Sequence, residues 1–436
     1  SGWTWNVAQG DVPGPALRLD VNSLLAGNND AVHIESDSNG VRITGKTPIA
    51  LRHGAYIFLE KLGCRWFFKS SVWDVIPGYL VEIGDFDEVH EPEYIWRRIW
   101  HPSSVGGGTF KIWKIRNRLG GEAFYDVQHS YDGIISKSEY AAHPEWFLPE
   151  GEAPKQLRCD HPEVIARAIE YARNKFNAAP RSDWDSADVI PRGSVPISPN
   201  DGTGWNPPWS DGQVITDKVF GLCNEVARVV ATEYPGRYVG VYSYSAYSSI
   251  PSIDLEPNIL AQIATEFNQS GLNIKQRIEG MAAKGIALGI RDYYDVNVWY
   301  RDKPPTNFYE LLQMIPWYSD RGVTSYNAES GDGWGARGLL YYAASHLYWE
   351  PHASLDGILD DFYDKAFGPA NWVMKKYYER WFSGMAVSDL SLGLAFQDMA
   401  EAEALAAGNE PVLERIRHIE YYLRYLWIWK KRGAND

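Results

Sequence analysis

Short apolar runs alternate with helical patterns through the middle of the chain, and this alternation restricts the possible fold more than any other feature. Two of the helical patterns, Pro162–Phe176 and Val214–Tyr234, carry apolar residues along one face. Such an order is typical of a parallel α/β structure, and eight strand-helix units over roughly 255 residues have the size of a (β/α)8 TIM barrel. The predicted strands are Tyr94–Trp100, Phe124–Gln128, Gln156–Arg158, Val195–Ser198, Tyr238–Tyr242, Ile259–Ile263, Ala287–Ile290 and Gly322–Tyr326.

The chain on either side of this pattern predicts two smaller units. Residues 31–35 and 41–44 alternate as a hairpin around a turn, and the helix that follows ends at Gly63. We therefore expect an N-terminal α+β accessory domain over 1–90, the barrel over 91–350 and a helical region over 351–436. Near the end, an apolar stripe from Val412 to Leu426 predicts a helix packed on the barrel.

Composition excludes several classes of function. The 436 residues carry a formal charge of −14, which disfavours nucleic acid and anionic membranes as partners. No apolar run is long enough to insert in a membrane, and we expect any targeting peptide of a secreted, periplasmic or cell-surface protein to have been removed. Cys64, Cys159 and Cys223 form no CxxC pair and are predicted as free buried thiols, with one disulfide as the alternative. Nucleotide, metalloprotease and serine-hydrolase motifs are also missing, so no cofactor and no metal is predicted. Oligomeric state is not readable from the sequence.

Polar residues that directly follow the predicted strands are the candidate site, because the active site of a barrel lies at the C-terminal ends of its strands. Several carboxylates in one mouth suit glycoside cleavage, in which one carboxyl group protonates the leaving oxygen and another group acts at the anomeric carbon. The candidates are His129, Asp160, Asn200, Asp201, Tyr244, Asp292, Asn327 and Glu329.

Each candidate also has a structural interpretation. Asp160 precedes a helical run and can be its N-cap, and Asn200 begins a turn-forming Asn-Asp-Gly sequence. Asp292 can form an ion pair with Arg291, and His129 can be a hydrogen-bonded core residue.

Aromatic residues accompany these acids. The chain has 19 Trp, 27 Tyr and 15 Phe, and most of them are expected in the core. Several Trp residues fall in loops after strands, where a flat ring can stack on the C–H face of a sugar. The three predicted to bind substrate are Trp205, Trp299 and Trp334.

Several motifs carry a resemblance to a known family. They are residues 143–147 (HPEWF), 198–202 (SPNDG), 257–260 (PNIL), 329–338, 349–351 (WEP) and 367–370 (FGPA). The chain resembles the domain-of-unknown-function 4838 family, part of which is glycoside hydrolase family 163, endo-β-N-acetylglucosaminidases acting on N-glycans. Residues 41–68 resemble the accessory domain that precedes the barrel in α-glucuronidases and β-N-acetylhexosaminidase-like enzymes.

The resemblance implies that Asp201 and Glu329 lie in the active-site mouth. The expected function is a retaining glycosidase for a β-linked sugar of the N-acetylglucosamine type in a complex glycan, with Asp201 as acid/base and Glu329 as nucleophile or orienting carboxylate. If the substrate carries an acetamido group, that group can itself attack the anomeric carbon. An α-glucuronidase-like enzyme and a catalytically inactive glycan-binding barrel remain as alternatives.

Overall fold

The computed structural model describes residues 16–78, 84–101, 107–182, 189–296 and 302–433. At its centre, seven parallel strands form one nearly closed sheet, in the order β7-β17-β16-β15-β14-β13-β8. Their bounds are β7 Trp96–Trp100, β8 Phe124–Tyr125, β13 Arg192–Pro196, β14 Tyr238–Ser245, β15 Ile259–Asn268, β16 Ala287–Tyr293 and β17 Val323–Glu329. The predicted TIM-barrel class of fold is confirmed.

One of the eight predicted barrel strands is wrong. Gln156–Leu157 (β10) pairs antiparallel with Phe147–Leu148 (β9), outside the barrel sheet. Both residues of β10 are fully buried. The segment therefore has the buried environment of a barrel strand, although it does not belong to the barrel sheet. Among the described residues the barrel sheet therefore has seven strands, and β7 and β8 are its two edges.

Helices cover the outside of the sheet. The predicted helices over 162–176 and 214–234 are found as α4 and α5, and Asp211 caps α5 by accepting from the backbone N–H groups of Gln213 and Val214. The helices before the C-terminal region are α1 Pro48–Lys61, α2 Gly107–Arg116, α3 Tyr131–Ile134, α4 Pro162–Asn177, α5 Gly212–Glu233, α6 Ile274–Ala282, α7 Phe308–Ser319 and α8 Trp334–Trp349.

The N-terminal part of the described chain is a four-stranded sheet with α1 on one face. The predicted hairpin is β2 with β3, which pair antiparallel, and Gly63 follows α1 at a positive φ of 88°. A buried ion pair from Arg97 of β7 to Asp30 joins this sheet to the barrel. The strands are β1 Ala16–Val21, β2 Val32–Asp37, β3 Gly40–Gly45 and β6 Asp87–His90, and short two-stranded pairs form from β4 Arg65–Trp66 with β5 Asp74–Val75 and from β11 Arg181–Ser182 with β12 Val189–Ile190.

After residue 351 the described chain is helical and packs against the barrel. The predicted apolar stripe of the last helix is buried at Val412, Ile416, Ile419, Leu423 and Leu426. Arg415, from the same helix, donates to the backbone carbonyls of Val72, Asp74 and Ala366 and so fixes the helix in place. The helices are α9 Leu355–Phe367, α10 Asn371–Phe382, α11 Asp389–Leu405 and α12 Glu410–Arg432.

Two further predictions concern the thiols and the membrane. Cys64, Cys159 and Cys223 are free and buried, as predicted. No helix within the described ranges combines the length and the apolar character that crossing a bilayer requires.

Candidate active site

Strand alternation decides which side chains reach the mouth of the barrel. Neighbouring residues of a strand point to opposite faces of the sheet. In β17, Tyr326 contacts Tyr348 of α8 on the outside, so Asn327 and Glu329 face the interior, where Asn327 donates to Gln262 of β15. Cross-strand pairing with β17 puts Arg291 beside Asn327 and Tyr293 beside Glu329, on the same inner face.

Asp201 lies on one side of the mouth, in the loop after β13. Its Oδ1 accepts hydrogen bonds from the Gly202 backbone N–H at 2.8 Å and from the Tyr244 hydroxyl at 3.0 Å. Its Oδ2 has no hydrogen-bond partner among the described residues, and the side chain is 68% exposed. Asp201 therefore presents one free carboxylate oxygen to anything that enters the mouth.

His129 stands beside Asp201. Its Nδ1 lies 2.5 Å from the carbonyl oxygen of Pro199, and because a carbonyl only accepts, Nδ1 carries the proton. Burial lowers the pKa of His129, against the opposing effects of that carbonyl and of Asp201. The neutral ring keeps Nε2 as an acceptor, 3.8 Å from Asp201 Oδ1.

Glu329 lies on the other side, at the C-terminal end of β17. Its Oε2 forms a short ion pair with Nη2 of Arg291, and both side chains are largely buried. The Arg291 guanidinium stacks between two rings, 4.9 Å from the centroid of Trp100 and 4.8 Å from that of Tyr293. The side chain of Glu329 is therefore held in a fixed position, with no partner for Oε1 within the described ranges.

Tyr293 connects the two sides. Burial is the main cause that raises the pKa of its phenol, Arg291 opposes the shift, and the charges of both Glu329 and Asp201 add to it. Phe267 continues the lining, with ring centroids 5.6 Å from Tyr293 and 5.3 Å from Tyr244. Asp201 and Glu329 therefore share one mouth, which is lined between them by aromatic rings.

Two predicted site residues have structural partners instead. Asn200 exchanges hydrogen bonds with Asp132 and donates to the carbonyl of Lys155, so its amide anchors the loop that carries Asp201. Asp292 points to the outer face, where it accepts from Thr265 at 2.9 Å and from Tyr326 at 2.5 Å. The expected pairing of Asp292 with Arg291 is replaced by the pairing of Arg291 with Glu329.

The remaining predicted residues lie apart from the two carboxylates. Asp160 pairs with Lys218 at 2.8 Å, and the N-cap of α4 is its neighbour His161. Trp205 and Trp334 are only 5% and 8% exposed, which leaves too little ring surface for a sugar to stack on. Asn327 is deeper in the barrel than Glu329, and Trp299 lies outside the described residues.

A second pair of carboxyl groups, Asp295 and Asp302, lies behind the mouth. The backbone N–H of Asp295 lies 3.3 Å from the backbone oxygen of Glu329, and its side chain is fully buried. Burial raises the pKa of Asp295 to about 7, Arg337 opposes the shift and Asp302 adds to it. Because Asp295 has no exposed surface, we assign this pair to the support of the mouth.

His101, which follows β7, was not among the sequence candidates. It stacks on Phe110 at 4.0 Å, and its Nδ1 lies 2.8 Å from the hydroxyl of Ser330, the residue after Glu329. Burial lowers its pKa to about 4, so the ring is neutral at pH 7. In the sequence, a single His within an aromatic segment belongs to no motif that would mark it as a site residue.

Within the described ranges, one group of three side chains is close enough together to hold a metal ion, and it lies on the N-terminal sheet. His33, Glu35 and Asp87 are its members. His33 already contacts Asp87 at 2.6 Å, and Arg42 lies 3.8 Å from Glu35. This group is remote from the mouth, and its side chains already form these ion pairs.

Comparison of the sequence with protein families finds a match over most of the chain. The model described as "Domain of unknown function (DUF4838)" matches residues 80–379, which is more than half of the chain. The chain belongs to this family. No curated protein matches it.

This DUF4838 chain has the fold of solved glycoside hydrolases. A family 89 glycoside hydrolase from Clostridium perfringens, in complex with its substrate GlcNAc-α-1,4-galactose, is 10% identical, with a TM-score of 0.57 over 94% of this chain and 58% of that one. A family GH115 4-O-methyl-α-glucuronidase with specificity for decorated arabinogalactans is also 10% identical, with a TM-score of 0.55 over 87% of this chain and 59% of that one. The DUF4838 chain spans less than two thirds of the length of either.

Proposed function

We propose that the chain is a glycoside hydrolase in which Asp201 and Glu329 are the two working carboxylates. The observation that carries the proposal is the contrast between them. Asp201 has a free, exposed oxygen, whereas Glu329 is fixed by Arg291, and both border one aromatic mouth at the C-terminal end of the barrel. Glycoside cleavage requires two such groups with different roles.

Asp201 is the proposed acid and base. In its protonated form it donates a proton from Oδ2 to the glycosidic oxygen as the bond to the anomeric carbon breaks, and in the next step it takes a proton from the attacking water. The Tyr244 hydroxyl holds the other oxygen, since burial, followed by its bond to Asp201, raises the pKa of the phenol and keeps it protonated. His129 Nε2 is free to accept a hydrogen bond from a sugar hydroxyl.

Glu329 is the proposed nucleophile or orienting carboxylate. Its ion pair with Arg291 fixes the position of the carboxyl group, which suits attack on the anomeric carbon or a hydrogen bond to the N–H of a 2-acetamido group. In the second case the acetamido oxygen of the substrate attacks and Glu329 positions it. The proposed substrate is a β-linked, N-acetylated sugar in a complex glycan, and the proposed location is outside the cytoplasm, where such glycans occur.

An α-glucuronidase-like activity has less support from the mouth. A uronate needs a cation that is available to its carboxylate. Arg291 is paired with Glu329, and Arg158 is paired with Glu150 at 2.6 Å. Arg301 lies outside the described residues. The pairing of Arg291 therefore favours a neutral sugar next to Glu329.

The test is hydrolysis by the Asp201→Asn and Glu329→Gln variants. The substrates are α- and β-linked aryl N-acetylglucosaminides, an aryl glucuronide and intact N-glycans, and the matched control is Asp160→Asn, which alters a carboxylate outside the mouth. We expect cleavage of the β-linked N-acetylated substrates, at least 100-fold loss of activity on intact N-glycans in both mouth variants and no loss in the control.

Other outcomes separate the alternatives. Full activity in both mouth variants would rule out this pair of residues. Preferential release of glucuronate would favour the α-glucuronidase alternative. Binding of glycans without cleavage of any substrate would favour the inactive, glycan-binding barrel.

A further inference from the structure

A cavity of about 480 Å³ lies where the loop before α7 meets the C-terminal helices. Its polar lining comes from Lys303, Thr306 and Asn307 in that loop and from Arg337 in α8, and Trp429 of α12 and the apolar stretch 385–387 complete its walls. The volume lies in the range of small-molecule sites, roughly 300–1,000 Å³. None of the residues that line the mouth around Asp201 and Glu329 lines this cavity.

The cationic group that the cavity offers to a ligand is Lys303. The described lining residues include Lys303 and Arg337 and no carboxylate, but Arg337 already lies beside Asp295 and Asp302, where it opposes the rise in pKa that burial causes in both carboxyl groups. Lys303 has no acidic partner among the described residues, and its ammonium lies 5.6 Å from the ring centroid of Trp429. A cation held over an aromatic ring at the wall of a cavity attracts an anionic group to that wall.

A hydrogen-bond donor accompanies this cation. The indole N–H of Trp429 is buried and has no acceptor among the described residues, which is a costly state for a polar group. Thr306 adds an exposed hydroxyl to the lining. A ligand with a carboxylate and several hydroxyl groups would satisfy these groups, and the apolar stretch 385–387 would cover the C–H side of its ring.

The position of the cavity relates it to the mouth. Lys303 follows Asp302, whose carboxylate packs against Gly333, and Gly333 lies four residues after Glu329 in the loop that enters α8. Gly333 leaves no room for a side chain there, because an added Cβ would lie 2.2 Å from Asp302 Oδ1. The cavity is therefore on the same end of the barrel as the mouth, separated from it by this contact.

We propose that this cavity is a second saccharide site, which binds a carboxylate-bearing sugar unit, a uronate or a sialate, of the same glycan. The proposal rests on the proposed glycan substrate and adds to it a recognition element for an acidic unit away from the bond that is cleaved. Lys303 binds the carboxylate, and the Trp429 N–H and Thr306 bind ring oxygens.

The test is direct binding to the Asp201→Asn variant of this 436-residue chain, in which turnover is suppressed. Isothermal titration with methyl β-D-glucuronide, the methyl glycoside of N-acetylneuraminic acid, methyl β-D-glucoside and acetate distinguishes the two acidic sugars from a neutral sugar and from a simple anion. We expect at least one acidic sugar to bind and the glucoside and acetate to bind at least tenfold more weakly.

Lys303→Met removes the charge and keeps the aliphatic stem, and we expect it to weaken binding at least tenfold. The matched control is Lys431→Met, because Lys431 lies over Trp427 on the same helix as Trp429 but outside the cavity. Equal binding of the neutral glucoside or of acetate, or unchanged binding in Lys303→Met, would overturn the proposal.

Failure of this proposal is distinguishable from failure of the proposed function. If the wild type cleaves glycans and no acidic sugar binds through Lys303, the second site is wrong and the hydrolase stands. If acidic sugars bind through Lys303 and no glycan is cleaved, the second site stands and the catalytic assignment is wrong.

Discussion

The two carboxylates of the mouth are held in opposite ways. Asp201 lies in a loop, is mostly exposed and is bound by a neutral hydroxyl and a backbone N–H. Glu329 lies at the end of a central strand, is largely buried and is bound by a guanidinium that is itself stacked between two rings. The comparison predicts that substitutions on the Glu329 side lower both stability and activity, whereas substitutions on the Asp201 side lower activity alone.

The largest expected effect is on catalysis. Asp201→Asn should lower kcat/KM for an intact N-glycan by about 10²–10⁴-fold, the usual contribution of a general acid/base, while the free energy of unfolding changes by about 0.5 kcal/mol or less because the side chain is exposed. Steady-state kinetics and urea denaturation of the same variant test both parts. A large loss of stability would contradict the contrast between the two sides.

The next largest effect is expected on stability, at the Glu329 side of the mouth. Arg291→Met should lower the free energy of unfolding by about 3 kcal/mol, because it leaves the Glu329 carboxylate largely buried without its cation. The double variant Arg291→Met/Glu329→Gln should recover much of this loss, since no unpaired charge remains. Urea denaturation of the wild type, the two single variants and the double variant gives the coupling energy between Arg291 and Glu329. Strictly additive effects on the free energy of unfolding would show that the pair is not energetically linked.

A third prediction concerns Asp295, whose carboxyl group lies behind the mouth. Burial raises the pKa of Asp295 to about 7, so the folded chain holds this proton more tightly than the unfolded chain, whose value is near 3.8. The resulting stability is complete below pH 3.8 and is lost as the pH rises to about 7, at up to about 1.4 kcal/mol per pH unit for one proton.

Asp295→Asn removes this dependence. Relative to the wild type, the variant should therefore gain stability steadily from pH 4 to pH 7, with little further change above. Thermal or urea unfolding of both proteins at a series of pH values measures the difference. If the difference in the free energy of unfolding between the wild type and Asp295→Asn does not vary with pH, Asp295 is ionised in the folded chain.

The smallest catalytic effect is expected at Tyr244. Tyr244→Phe removes one hydrogen bond to Asp201 and keeps the ring, so kcat should fall by about tenfold, equivalent to about 1.4 kcal/mol. Kinetics on the same substrate as for Asp201→Asn provide the measurement. In the double variant with Asp201→Asn the Tyr244 effect should largely disappear, and full additivity would mean that Tyr244 acts elsewhere.

Much of the barrel is predictable because its central strands begin as short, mainly apolar runs between helical patterns. Ile259–Ile263 and Ala287–Ile290 are both predicted on this basis, and in the structure these strands extend beyond the apolar part to Asn268 and Tyr293. The segment at 156–158 misled the prediction, since a buried two-residue strand has the same local pattern in a hairpin as in a barrel. Strand pairing depends on contacts that one sequence does not reveal.

The candidate site was predictable only in part. The rule that polar residues after a strand lie in the mouth located Asp201 and Glu329, but it does not separate the two faces of a strand. Asp292 and Arg291 are adjacent in sequence and point to opposite sides of the sheet. Pairing of Arg291 with Glu329 joins residues 38 apart, and only the register of β16 with β17 brings them together.

The central claim is that the two carboxylates have different roles, and the dependence of rate on the leaving group tests it most directly. Hydrolysis of aryl N-acetyl-β-glucosaminides with good and poor leaving groups is measured for the wild type, Asp201→Asn and Glu329→Gln. A good leaving group needs no protonation. The account predicts that Asp201→Asn retains kcat/KM, which reports the steps up to departure of the leaving group, for good leaving groups and loses it for poor ones, while Glu329→Gln loses kcat/KM for both alike. The same pattern in both variants, or the reverse pattern, would contradict it.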